Sequence, residues 1–160
     1  MAKIKVSDIR DPIKIKRIYT NEFNARVDKM VKRSLELPTS YTSNAPQSHL
    51  GEATECFIHG FFNASIALSR TTLEQVLKNK LNIDKSEIID LTCLITLATA
   101  QKLLSDELKS SAIKVQKWGN AYVHDTTKKD PEYTKQKSRS KEVLLSVKKI
   151  IETLYPYRSD

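Results

Sequence analysis

The stretch from Gly51 to Leu81 reads as the longest helical pattern in the chain, and it limits the fold more than any other feature. At 3.6 residues per turn, Ala53, Phe57, Gly60, Phe61, Ala64 and Leu68 gather on one side, where they demand an apolar partner. His59, Asn63, Ala67, Arg70 and Glu74 fall within about 80° of one another on a different side, so the same helix also carries a polar seam. With three glycines and five prolines in 160 residues, long helices are permitted and a turn-rich β-sandwich is not expected.

Several further segments share the helical period. Asn21 can cap a helix in which Phe23, Val27, Met30, Val31 and Leu35 recur before Pro38, and Pro38 to Leu50 reads as a polar loop. Asp84 with Glu87 signals the start of a helix through Ile88, Leu91, Cys93, Leu94, Leu97, Leu103 and Leu104, the most hydrophobic segment and the one expected to be most buried. Ser105-Asp106-Glu107 opens the next, with Leu108, Ala112, Val115, Trp118 and Tyr122 inward. Asp130-Pro131-Glu132 starts the last, which sets Val143, Val147, Ile150, Ile151 and Leu154 on one side and stops at Pro156. Residues 3–6 and 13–18 instead alternate with period two, suggesting two short strands or a hairpin with lysines on an exposed edge. The expectation is therefore a single all-α domain: a basic, strand-like extension over residues 1–20 and an up-and-down bundle of about five helices over 21–155.

The bundle's chemistry concentrates in two helices, over 51–81 and 105–125. Around Trp118-Gly119-Asn120, helical spacing places Lys117, Asn120 and His124 on one stripe and Val115, Trp118 and Tyr122 on another. Gly119-Asn120-x-x-x-His124 resembles the second signature helix of the HEPN superfamily, above all its bacterial branch of unknown function. The run from Ala53 through Cys56, Gly60 and Ala64 into Arg70-x-x-x-Glu74 is similar to that branch's first signature helix. The resemblance covers roughly residues 51–125.

It implies a helical bundle that forms a homodimer through the signature helices, with sites at the dimer interface, in a prokaryotic defence, toxin or restriction system usually acting on RNA. Ribonucleases of the superfamily work without metal through an Arg and a His separated by four to six intervening residues. Imidazole moves a proton to or from a 2′-hydroxyl or leaving oxygen, and guanidinium holds the phosphoryl charge bidentately. At that separation from His124 stand Gly119, Trp118 and Lys117, and where the bacterial branch more often has its arginine stands neutral Gln116. Lysine is a point charge without the bidentate fork, and losing transition-state stabilisation worth ~3 kcal/mol slows chemistry about a hundredfold.

Two function classes follow. One is a metal-independent endoribonuclease or RNA-binding effector with His124 as acid/base, Asn120 orienting, Lys117 or Arg70 holding phosphate, and Glu74, Gln116, Asn63 and Tyr122 lining the site. The other is a catalytically silent bundle that binds a protein partner or nucleotide as a regulatory or immunity subunit, with Arg70 and Glu74 forming an i, i+4 pair and Asn120 and His124 satisfied within a helix seam.

Charge and composition set the remaining limits. Residues 1–33 carry ten Lys/Arg against four Asp/Glu, residues 34–123 eight against nine, and residues 124–160 nine against six, so the formal +8 resides at the ends, where it could draw a polyanion. No P-loop, dinucleotide turn, zinc helix or nucleophile elbow occurs, and neither a cofactor nor a metal is expected of three scattered histidines. Cys56 and Cys93 read as buried, reduced thiols of a cytoplasmic protein, and no signal peptide or membrane span is expected.

Overall fold

A computed structural model describes residues 12–36, 48–84, 86–124 and 133–156, with side chains at 20–36, 49–84, 86–121 and 133–156. Its regular structure is helical: α1 (Pro12–Ser34), α2 (Ser48–His59), α3 (Phe62–Lys80), α4 (Leu91–Ala100), α5 (Asp106–His124) and α6 (Tyr133–Leu154). The chain divides into two compact units, residues 1–36 and 37–160.

The first unit corrects the strand reading. Residues 13–18 form the opening turns of α1, which begins at Pro12, where a missing N–H costs nothing. A helix satisfies its backbone within the segment, whereas an alternating hexapeptide needs a neighbouring strand. Asn21 lies inside this helix rather than capping it, and the helix crosses the expected boundary at residue 20. The other half of the expected hairpin, residues 3–6, lies outside the described residues. Arg33 donates from Nε to the Lys29 carbonyl at 3.1 Å, while Phe23, Val27, Val31 and Leu35 are exposed.

The second unit is the bundle, and α3 is its hub, touching α2, α4, α5 and α6. Ile66, Leu73, Val76 and Leu77 of α3 are fully buried with Phe57, Leu91, Leu94, Val115, Val147 and Ile150 from the surrounding helices. Burying each Leu, Ile or Phe contributes about 1.5–3 kcal/mol over exposure, so this cluster dominates the unit's stability. Ser65, Ser69 and Thr72 are also buried on α3; Ser69 and Thr72 donate to the Ser65 and Leu68 carbonyls at 2.7 and 2.8 Å. These short side chains let neighbouring helices approach α3 closely. On α6, the stripe of Val143, Val147, Ile150, Ile151 and Leu154 is buried as its spacing predicts. Asp130-Pro131-Glu132 lies outside the described residues.

The pattern over 51–81 is two helices rather than one. Gly60 has φ 88°, and the Phe61 and Gly60 amides close on the Cys56 and Phe57 carbonyls at 2.8 and 3.0 Å, a helix stop built on a left-handed residue. The break resets the helical phase: Phe62 goes into the core and Phe61 is 65% exposed, contrary to its expected core position. The same pair of closing bonds ends α3 at Asn82 (φ 54°) and α4 at Lys102 (φ 59°), short polar Asn being suited to that conformation and Lys tolerating it.

Capping of α4 also differs from the sequence reading. Asp84 accepts from the Ser86 amide at 2.8 Å in a local turn, and Asp90 caps α4 by accepting from the Thr92 amide at 3.0 Å. Leu91, Leu94, Ile95 and Ala98 are buried, but Cys93 is exposed and Leu97 is 44% exposed, so α4 is amphipathic and α3 is the more buried element. Both cysteines are free; Cys56 is half-buried, and burial followed by the nearby Glu52 and Glu55 carboxylates pushes its thiol pKa up. Leu108, Ala112 and Val115 of α5 are buried, and Trp118 packs half-buried against the core.

Gly60→Ala separates a continuous helix from a broken one. In a helix interior it would stabilise by about 1 kcal/mol; at a left-handed φ it is expected to destabilise by about 1 kcal/mol, read as a lowered denaturant midpoint.

Candidate functional site

Two polar side chains join α3 to α5. Arg70 Nε donates to Asn120 Oδ1 at 2.8 Å, tying together positions fifty residues apart. The contact depends on Gly119: a Cβ built there would stand 2.6 Å from Arg70 Cβ and 2.8 Å from Arg70 Cγ. The arginine stem therefore lies directly across the bare backbone of α5, and its guanidinium reaches the amide one residue on. The glycine of the Gly-Asn pair makes room, and the asparagine supplies the acceptor.

From Arg70 the network runs along α3. Its Nη1 is 3.7 Å from Glu74 Oε2, Glu74 Oε1 is 3.1 Å from Lys78 Nζ, and Lys78 Nζ donates to the Glu87 carbonyl at 2.8 Å. Arg70 and Lys78 have side chains only 18% and 8% exposed, so their charges are largely withdrawn from water and rely on the shared carboxylate. Arg70, Glu74 and Lys78 together carry one net positive charge. Lys78 also fastens the segment before α4 to α3.

Gln116, one turn before Asn120, turns towards α4: its Nε2 donates to Thr92 Oγ1 at 2.6 Å. Beside it, hydrogen bonds from Thr92 hold the Asp90 carboxyl below the usual carboxylate range, with the positive charge of Arg70 adding to the effect. The α4 N-terminus, Gln116 and the Arg70 seam are thus neighbours. Among the described residues no three His, Cys, Asp or Glu side chains come together as a metal cluster would.

The structure unites Arg70, Asn120 and Glu74 and separates other expected members. Lys117 is exposed, about 60° round α5 from Asn120, and among the described residues no hydrogen bond or ion pair joins it to the Arg70 network. Asn63 is half-buried on α3, two turns before Arg70. Tyr122 and His124 belong to the last turn of α5, and their side chains lie outside the described residues. His124 follows Asn120 by four residues, about 6 Å along the axis, on nearly the same side. Sequence reasoning missed Lys78, Asp90 and Thr92. The Glu74-to-Lys78 spacing was a readable signal, whereas the Lys78 bond to a loop carbonyl and the contact between Thr92 and Gln116 depend on tertiary packing.

Chemically, the seam presents a guanidinium whose Nε is held by an amide and whose Nη1 faces a carboxylate, a planar fork of the kind that binds anions bidentately. Replacing Gly119 by Ala is expected to destabilise the chain by roughly 1–3 kcal/mol in chemical denaturation, despite a helix-propensity gain of about 1 kcal/mol, because Arg70 Cβ is fixed to the α3 backbone and cannot swing aside.

A search of curated proteins and a search of solved structures found no match to this chain. The family described as a domain of unknown function, DUF4145, matches residues 51–159, which hold α3, α4, α5, α6, nearly all of α2 and the complete Arg70–Asn120 seam. Because that match spans most of the sequence and the core described above, the chain belongs to the DUF4145 family.

Proposed function

We propose that this protein is an RNA-directed domain of HEPN type, acting in a prokaryotic defence or toxin-type system as a metal-independent endoribonuclease. The observation that carries the reading is the 2.8 Å bond from Arg70 to Asn120, one turn before His124. It supplies from a second helix the guanidinium that α5 lacks at Gln116 and Lys117. In this reading Arg70 holds phosphoryl charge, Asn120 fixes its direction, Glu74 and Lys78 position it from behind, and His124 moves the proton of the attacking 2′-hydroxyl or the leaving oxygen.

One observation favours a second reading, a catalytically silent module that binds a protein partner or a nucleotide. Both cations of the seam already have protein partners, Arg70 on Asn120 and Glu74, and Lys78 on Glu74 and the Glu87 carbonyl. A closed network of this kind suits a structural role as well as a poised one.

The two readings separate when purified protein is incubated with total RNA in EDTA. Cleavage should survive the chelator, fall by about 10²–10⁴ in His124→Ala and by about 10²–10³ in Arg70→Ala. No cleavage by folded wild-type protein would sink the nuclease and leave the silent module.

A homodimer belongs to the same proposal; where the resemblance implies pairing through the signature helices, the face argued for here is that of α4, between them in the chain. Residues 91–100 contain no charged side chain, and Thr92, Cys93, Thr96, Leu97 and Ala100 are exposed beside the seam. On a chain of net charge +8, a neutral face lets two copies meet without repulsion. Sedimentation at high concentration is expected to show a dimer that a Leu97→Lys substitution dissociates; a wild-type species of monomer mass alone would overturn it.

A further inference from the structure

Along the seam between α5 and α6 lies a second feature, which the Arg70 network does not use. The helices run antiparallel, held by ion pairs of Lys114 with Glu142 at 2.7 Å and of Lys149 with Glu107. In the same register, the Arg139 guanidinium carbon lies 5.9 Å from the ring centroid of Trp118, the chain's one tryptophan. Lys117, adjacent to Trp118, is exposed, and so is Lys135, one turn before Arg139 on α6. That register sets Lys135 abreast of Ala121, close to the end of α5 that carries His124.

Cations outnumber acids along the two helices towards the end of α5, although Asp125, Asp130 and Glu132 follow in the connecting segment and Lys148 and Lys149 stand among the acids of the other end. Residues 108–124 of α5 and 133–141 of α6 contain Lys109, Lys114, Lys117, Lys135, Lys137, Arg139 and Lys141 and no acid. The acids of the two helices, Asp106, Glu107, Glu142 and Glu152, stand towards the other end, and Glu107 and Glu142 are already bound to lysines. A shallow groove continues along the helices, where Ser111, Ser138 and Ser146 bring hydroxyl groups beside Leu145 and the charged Lys141, Glu142 and Lys149.

We propose that this edge is the track for single-stranded RNA, with phosphates on Lys117, Lys135 and Arg139 and an unpaired base stacked at the Trp118–Arg139 pair. The inference rests on the RNA-directed reading and deepens it by naming the surface and the strandedness. Exposed Lys117 and Lys135 attract a polyanion, and the guanidinium plane of Arg139 at the edge of half-buried Trp118 offers a stacking surface that only an unpaired base can use. Duplex RNA keeps its bases in its own stack. The track ends at the last turn of α5, so it delivers the strand towards His124.

The test uses a dye-labelled 2′-O-methyl uridine oligomer of roughly 12 nucleotides, within the range of single-strand site sizes and without the hydroxyl needed for cleavage. Two signals are followed in one titration: anisotropy of the oligomer and emission of Trp118. Quenching of Trp118 in step with the anisotropy rise is expected. A combined Lys117→Ala, Lys135→Ala and Arg139→Ala variant should bind about tenfold more weakly, with the slope of log K against log salt reduced by about 2, at ~0.7 for each phosphate contact removed. Arg139→Lys should retain the salt slope and lose part of the quenching, whereas Lys80→Ala, whose ammonium sits over the Tyr155 ring, should bind as wild type. If the oligomer binds with Trp118 emission unmoved and the combined variant unchanged, RNA lies elsewhere and the track is wrong while the RNA-directed reading stands. If wild-type protein binds no oligomer even at low salt, both fall.

Discussion

The packing of Arg70 across Gly119 is the contact on which the polar seam of the bundle depends. Two helices can approach this closely only where one of them lacks a side chain, and α5 has its glycine where the α3 arginine crosses. The guanidinium then reaches an amide that has no freedom to leave, because Asn120 follows Gly119 on a helix already anchored by Val115 and Ala112 in the core. An arginine on a surface helix samples many rotamers; this one is confined by backbone on one side and by an acceptor at its tip. That confinement separates Arg70 from an ordinary surface i, i+4 ion pair.

Behind it, the electrostatics are economical. A single carboxylate, Glu74, lies between two cations that are mostly out of water, and the second cation also binds a loop carbonyl. Helix, loop and site are therefore coupled: whatever displaced the segment before α4 would loosen Lys78, then Glu74, then the support of Arg70. Gln116 and Thr92 make a second tie from α5 to the same N-terminus, which Asp90 caps. Three helices meet at a small polar cluster at the edge of an otherwise apolar core, where buried polar groups must satisfy one another.

The surface is partitioned as clearly as the interior. The outer face of α4 is uncharged, the facing ends of α5 and α6 are cationic with Trp118 and Arg139 between them, and acids stand at the opposite end of that seam. None of the helices among the described residues is long and apolar enough to cross a membrane. In the proposed reading these surfaces serve separate partners, the neutral one a second copy of the chain and the basic one a polyanion.

The sequence by itself determined the helical class, the inward stripes of α5 and α6, the start of α5 and the two segments that hold Arg70, Glu74 and Asn120. These follow from periodicity and capping, which act over a few residues and are written in the local chain. Tertiary structure decided what local pattern left open. Period-two alternation over 13–18 is overridden by a helix that satisfies its own backbone, and apolar content alone overstated the burial of Cys93 and Leu97. Gly60 could have been a tolerated helical glycine, and only a left-handed turn placed Phe61 outside and Phe62 inside. Helical spacing joined Lys117 to Asn120 on one stripe, but only packing could assign Asn120 to Arg70, Gln116 to Thr92 and Lys117 to solvent. A stripe on one helix is a local fact, whereas the residue that faces it from fifty positions away is fixed by how closely two backbones can approach.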